Sequence, residues 1–87
     1  MEAEKKVRVI IWGGWGFNGK SQQVSSALKA AYNLTDEQMS IERGPGKSIK
    51  VEFINGDQTT TIMEKEGPGF FTSETPNAIV EDLRSYF

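Results

Sequence analysis

The 87-residue chain contains neither cysteine nor histidine, and this limits the chemistry it can support. Thiol redox chemistry, histidine-dependent catalytic triads, and zinc, haem or iron–sulfur sites depend on these side chains, so no metal, no cofactor and no such activity is expected. The hydrophobic fraction of 37% and charged fraction of 25% are typical of one globular domain. The net charge of −2 gives no general attraction to nucleic acid or to anionic membranes.

The first predicted elements are a flexible charged tail over residues 1–6 and a strand over Val7–Trp12. This strand is a nearly continuous apolar run, which is typical of a central strand buried on both faces. Four glycines predict a loop over residues 13–20, and Ser21 is predicted to cap a helix that ends near Asn33. The predicted buried face of this helix has i, i+3, i+4, i+7 spacing and comprises Val24, Ala27, Leu28 and Ala31.

Three more strands are predicted in the middle of the chain. Residues 39–43 form a short strand candidate, and residues 49–53 alternate apolar with charged side chains, as a half-buried strand does. Asn55–Gly56 indicates a hairpin with a type I′ turn, because both residues tolerate the positive φ that this turn requires. Residues 58–65 are then predicted to pair back on the preceding strand.

A loop over residues 66–74 precedes the last predicted helix. Thr75 is predicted to be its N-cap and Pro76 its first helical residue. The predicted buried face of this helix comprises Ile79, Val80, Leu83 and Phe87.

The order β-α-β-β-β-α predicts a single α/β domain over residues 7–87, with a four-stranded mixed sheet and two helices on one face. A right-handed crossover makes the first two strands parallel. If the third strand runs antiparallel beside the first, the loops over residues 13–20, 44–47 and 66–74 meet at one pole. This pole is the carboxyl end of the parallel strands, where open α/β sheets usually place their sites.

Aromatic and glycine residues concentrate at the predicted pole. An exposed aromatic patch rimmed by glycine is a suitable docking surface for a protein. Trp15 lies between glycines and is the predicted anchor, whereas Trp12 ends a strand and is predicted to be structural. The alternative is that the aromatic residues complete the core. The predicted partner-binding residues are Trp12, Gly13, Gly14, Trp15, Gly16, Phe17, Phe70 and Phe71.

The same segment also matches the phosphate-binding pattern G-x-x-x-x-G-K-[ST], through Gly14, Gly19, Lys20 and Ser21. A small anion or nucleotide is therefore an alternative ligand. Three features argue against a nucleotide hydrolase. The chain is short for one, no later strand ends in a clear magnesium-binding aspartate, and Gly-Lys-Ser recurs at residues 46–48 in a predicted turn.

Taken together, several segments resemble one family across residues 7–86. They are Val7–Ile11, the Trp12–Trp15 spacing followed by Gly16–Phe17, Ser48–Asp57, Gly67–Phe71 and Thr75–Leu83. In order and spacing they resemble the selenoprotein W and selenoprotein H (Rdx) group of thioredoxin-like proteins. The resemblance implies a thioredoxin-like fold. It also places Trp12 and Trp15 where the family has a Cys-x-x-Cys or Cys-x-x-selenocysteine pair.

Tryptophan cannot form the thiolate that this redox chemistry needs. The resemblance therefore implies a non-catalytic relative that binds a protein partner through the Trp12–Lys20 loop. Binding of glutathione or a peptide without electron transfer is a further alternative. The sequence shows no signal peptide and no segment of transmembrane length, so a cytoplasmic protein is expected.

Overall fold

The computed structural model describes residues 4–87; the first three residues, half of the predicted tail, lie outside the described part. The predicted order β-α-β-β-β-α is confirmed, and it is compatible with a thioredoxin-like arrangement. The elements are β1 (Lys5–Trp12), α1 (Phe17–Tyr32), β2 (Met39–Gly44), β3 (Ser48–Asn55), β4 (Gln58–Glu66) and α2 (Thr75–Leu83). A short 3₁₀ turn over Asp36–Gln38 precedes β2, and another over Arg84–Tyr86 follows α2.

The four strands form one mixed sheet in the order β2-β1-β3-β4. The β1 and β2 strands are parallel, and β3 is antiparallel to both β1 and β4, as predicted. The β3–β4 pairing contains a bulge, since Val51 lies opposite Met63 and Glu52 lies opposite Thr61. The first strand starts at Lys5, so Lys5 and Lys6 belong to the sheet rather than to the predicted tail.

Burial along β1 alternates, which corrects the prediction that both faces of this strand are buried. Val7, Val9 and Ile11 are at most 1% exposed, whereas Arg8 and Ile10 are half-buried. The reason is that α1 and α2 contact each other and contribute to a single core on one face of the sheet, and neither helix covers the other face. An apolar run cannot reveal this difference, because helix placement depends on the whole chain.

The core lies between the sheet and the two helices. Its fully buried helical side chains are Val24 and Leu28 of α1 with Ile79 and Leu83 of α2. Val80 is also buried, and Phe87 stacks on Tyr32 with ring centroids 4.6 Å apart, but Ala31 is exposed, contrary to the prediction. Within residues 4–87, no helix has both the length and the apolar character needed to cross a bilayer.

The uncovered face of the sheet carries a charged cluster centred on Glu52, which is only 8% exposed. Arg8 Nε donates a hydrogen bond of 2.6 Å to Glu52 Oε1, and Lys50 Nζ lies 3.8 Å from Glu52 Oε2. A buried carboxylate needs such partners, because an unpaired one loses its hydration without compensation. The hydrogen bond to Glu52 raises the pKa of the Arg8 guanidinium.

The hairpin between β3 and β4 differs from the predicted type I′ turn. Asn55 pairs with Gln58, so the two loop residues are Gly56 and Asp57. Gly56 has φ 62°, and neither Asn55 nor Asp57 has a positive φ. A single positive φ at the first loop position is the pattern of a type II′ turn, which takes glycine there.

The second helix begins one residue earlier than predicted. Thr75 is its first residue, and Glu74 occupies the N-cap position. The Thr75 hydroxyl instead accepts a hydrogen bond of 2.8 Å from the backbone N–H of Thr72, which closes the preceding turn.

The turn geometry predicts different costs for two neighbouring substitutions. Gly56→Ala should lower the free energy of unfolding by about 1 kcal/mol or more, because an L side chain is strained at positive φ. Asn55→Ala should change it by less than about 0.5 kcal/mol, because Asn55 is exposed and extended. Urea unfolding of the two variants measures both values. Equal destabilisation by the two substitutions would indicate the type I′ turn instead.

Candidate functional site

Three loops meet at one end of the sheet, as the strand directions predict. The Gly13 N–H donates a hydrogen bond of 3.1 Å to the Gly44 carbonyl, which joins the loop after β1 to the end of β2. The Gly67 N–H donates one of 2.8 Å to the Lys47 carbonyl, which joins the loop after β4 to the loop before β3. We call this end the pole; it comprises residues 12–21, 43–47 and 66–74.

The first helix begins four residues before the predicted cap at Ser21. Its N-cap is Gly16, which has φ 78°, and the N–H of Phe17 donates a hydrogen bond of 3.2 Å to the Gly14 carbonyl. Glycine adopts this left-handed conformation without the strain of a Cβ. Glycines in a sequence predict a loop, and only the backbone geometry shows that Gly19 lies within the helix instead.

Lys20 connects two of the loops at the pole. Its Nζ donates a hydrogen bond of 3.1 Å to the Trp15 carbonyl. The same Nζ lies 5.7 Å from the Phe70 ring centroid and 5.9 Å from the Phe71 centroid, within the range of cation–π attraction. Lys20 thus fixes the turn that carries Trp15 against the loop after β4.

The four residues of the phosphate-binding pattern do not lie together in an open loop. Gly14 lies in the turn before α1, whereas Gly19, Lys20 and Ser21 are helical. The Ser21 hydroxyl oxygen is buried and has no hydrogen-bond partner among residues 4–87. A phosphate loop instead presents its lysine and hydroxyl to the ligand. Phosphate binding stays a prediction to which this geometry adds no support.

Trp12 and Phe70 pack inward rather than presenting a free surface. Their rings form an edge-to-face pair with centroids 6.2 Å apart, and Phe70 is only 8% exposed. A Cβ at Gly14 would collide with the Trp12 indole, so this glycine allows the ring to lie against the backbone. Phe71 is half-buried beside Phe70. For these residues the structure favours the alternative that aromatic side chains complete the core.

Arg43 is a residue of the pole that the sequence analysis did not identify. It lies near the end of β2, opposite Ile11 of β1. Its guanidinium carbon is 4.2 Å from the Phe17 ring centroid, and its Nη1 donates a hydrogen bond of 2.9 Å to the Gly13 carbonyl. The only sequence signal for it is a cation at the carboxyl end of a predicted parallel strand.

Trp15 is the one large hydrophobic side chain that is strongly exposed within residues 4–87, at 90%. Two shallow grooves adjoin the turn that carries it. A groove of about 320 Å³ is lined by Gly14, Trp15, Gly16, Phe17, Asn18, Gly19 and Arg43. A groove of about 430 Å³ is lined by Gly16, Gly19, Lys20, Gln23, Phe71, Thr72 and Ser73.

A larger cavity of about 680 Å³ opens near the loop before β3 and includes Ile10 of the uncovered sheet face. Its charged lining residues are Lys47, Lys50, Glu64 and Glu66, so its formal charges balance. None of the predicted site residues lines this cavity.

Comparisons of the chain with protein-family models, with curated proteins and with solved structures give no significant match. The resemblance to the selenoprotein W and selenoprotein H group therefore stays a prediction from the sequence.

The start of α1 predicts opposite effects for two glycine substitutions. Gly16→Ala should lower the free energy of unfolding by about 1 kcal/mol, because residue 16 is left-handed. Gly19→Ala should raise it by about 0.5 kcal/mol, because alanine favours a helix and no side chain of residues 4–87 lies within 4 Å of the new Cβ. Urea unfolding followed by circular dichroism distinguishes the two. A destabilising Gly19→Ala substitution would contradict a helix at this position.

The two tryptophans should differ in their effect on stability. Trp12→Ala should lower the free energy of unfolding by about 2 kcal/mol, because it removes a half-buried ring packed on Phe70. Trp15→Ala should change it by less than about 0.5 kcal/mol, because its side chain lies in solvent. Thermal and urea unfolding test both values, and a comparable loss in the two variants would show that Trp15 is packed.

Proposed function

We propose that this chain is a non-catalytic relative of the selenoprotein W-type proteins and binds a protein partner at the pole. Trp15 is the anchor of this interaction. The observation that carries the proposal is the 90% exposure of the Trp15 side chain, which lies on a turn whose backbone is held by hydrogen bonds. Tryptophan is enriched among the residues that dominate binding energy in protein interfaces, and this indole presents nearly all of its apolar surface to a partner.

The geometry of the Trp15 turn suits an anchor. The Lys20 Nζ and the N–H of Phe17 donate to the carbonyls of Trp15 and Gly14, so the backbone that carries the indole is constrained before binding. Constraint of this kind reduces the entropy that association costs. Burial of about 200 Å² of the indole would contribute about 5 kcal/mol before those costs.

The surroundings of Trp15 also favour docking. The adjoining grooves provide concave surface on which a partner segment can lie beside the indole. Interface hot spots are often aromatic residues surrounded by contacts that exclude water. Gly19, Lys20 and Ser21 lie within α1 and the Ser21 hydroxyl is buried, so docking explains the geometry better than a phosphate-binding loop does.

The proposal assigns no cofactor and no chemical step, since tryptophan occupies both positions that the family uses for redox chemistry. A cytoplasmic location is part of the proposal. Any binding of glutathione or a peptide at the pole would occur without electron transfer.

The proposal predicts that a partner is retained through Trp15. The immobilised chain is exposed to an extract of cells that express it, and the retained proteins are quantified by mass spectrometry. Trp15→Ala should reduce the affinity for the true partner about 30-fold, as expected for a hot-spot residue. Trp15→Phe keeps an apolar ring and should retain most of the binding.

Thr59→Ala is the matched control, because Thr59 is exposed on β4 and lies outside the pole. It should leave retention unchanged. Partners that bind the wild type and Trp15→Ala equally would contradict the proposal, provided that circular dichroism shows both variants to be folded.

A further inference from the structure

We infer that the partner segment that docks at Trp15 is an acidic peptide segment, with carboxylate side chains on both sides of an apolar residue. The inference rests on the proposed function and specifies the chemistry of the partner. It is carried by two cations beside Trp15 that no carboxylate of the described chain neutralises.

Lys20 and Arg43 differ from several other cations of the chain in lacking an acidic partner. In the described residues, carboxylates lie within 4 Å of Arg8, Lys29 and Arg84, but none lies within this distance of Lys20 or Arg43. The positive charges of Lys20 and Arg43 are therefore available to an external anion.

Both head groups are oriented before a partner arrives. Lys20 Nζ is fixed by the Trp15 carbonyl, and Arg43 Nη1 by the Gly13 carbonyl, while aromatic rings lie beside each cation. An ammonium group has three N–H donors and a guanidinium has five, so each keeps donors for a carboxylate. Preorganised donors lose less entropy on binding than free side chains do.

No acidic residue offsets these cations in the grooves that adjoin Trp15. Among residues 4–87, Arg43 is the only ionisable side chain that lines one groove, and Lys20 is the only one that lines the other. The first turn of α1 also carries no acidic residue. The surface around Trp15 is thus positive in a chain whose net charge is −2.

A positive surface near an exposed indole fits a ligand that has both apolar and acidic groups better than a ligand that has only one of them. An apolar residue of the partner would cover Trp15, and its carboxylates would pair with Lys20 and Arg43. A free phosphate would leave the indole in water. A nucleic acid strand requires a continuous track of cations, whereas the two grooves supply one cation each.

The test uses the full 87-residue chain and three synthetic peptides with the same apolar centre. Their flanking residues are all glutamate, all glutamine or all lysine. Binding is followed by NMR through the Trp15 indole N–H and the amides of residues 13–20. The glutamate peptide should bind about 10-fold more tightly than the glutamine peptide, and added salt should remove the difference. The lysine peptide should bind most weakly.

Substitutions of Arg43 then test the contribution of this cation to peptide binding. Arg43→Gln should weaken the glutamate peptide about threefold and leave the glutamine peptide unchanged, as expected for one exposed ion pair. Arg43→Lys retains the charge and should restore the affinity. Lys5→Gln is the matched control, because Lys5 is an exposed cation at the opposite end of β1. The amide spectrum of each variant reports whether it is folded.

Two outcomes would overturn the inference while leaving docking at Trp15 intact. One is equal affinity for the glutamate and glutamine peptides. The other is displacement of the glutamate peptide by inorganic phosphate at equal concentration, which would indicate a simple anion site. If no peptide shifts the Trp15 indole signal, the acidic inference is also overturned. The capture experiment with Trp15→Ala then decides separately whether the pole binds a protein.

Discussion

The pairing of β1 on both sides, with alternate side chains buried beneath the helices, is the constraint on which the rest of the structure depends. Val7, Val9 and Ile11 lie opposite core residues of β3 and face the same side as α1 and α2. A slip of one residue would turn this apolar row to the uncovered face, so burial specifies the register. That register also places Arg8 opposite Glu52, where the carboxylate receives its hydrogen bond.

The same register determines where the loops gather. Trp12 and Gly44 are paired at the ends of the parallel strands β1 and β2, so the loops that follow these two strands leave the same end of the sheet. The β3 strand begins there and β4 ends there, because both hairpin strands run antiparallel to their neighbours. The pole therefore follows from strand direction, and the hydrogen bond from Gly13 to Gly44 closes it.

Within the pole, the aromatic residues have separate roles. Trp12 and Phe70 pack against each other and extend the core, whereas Trp15 remains in water. In the proposed function, aromatic rings also position the two cations, because Lys20 and Arg43 lie against Phe70 and Phe17 respectively. Packing thus holds the two cations beside the exposed indole. In the proposed function, recognition occupies the positions where a related protein would carry redox chemistry.

The sequence by itself determined the features that depend on neighbouring residues. Hydrophobic periodicity and turn residues were sufficient for the element order and most of the helical core, and the lack of cysteine removes thiol chemistry. Only the tertiary structure decided that β1 has one uncovered face, that α1 starts at Phe17, and that Arg43 reaches the Gly13 carbonyl. Local patterns record which side chains are apolar. They do not record where a crossover places a helix, how a glycine turns the backbone, or which distant groups meet, because these depend on contacts between segments far apart in the chain.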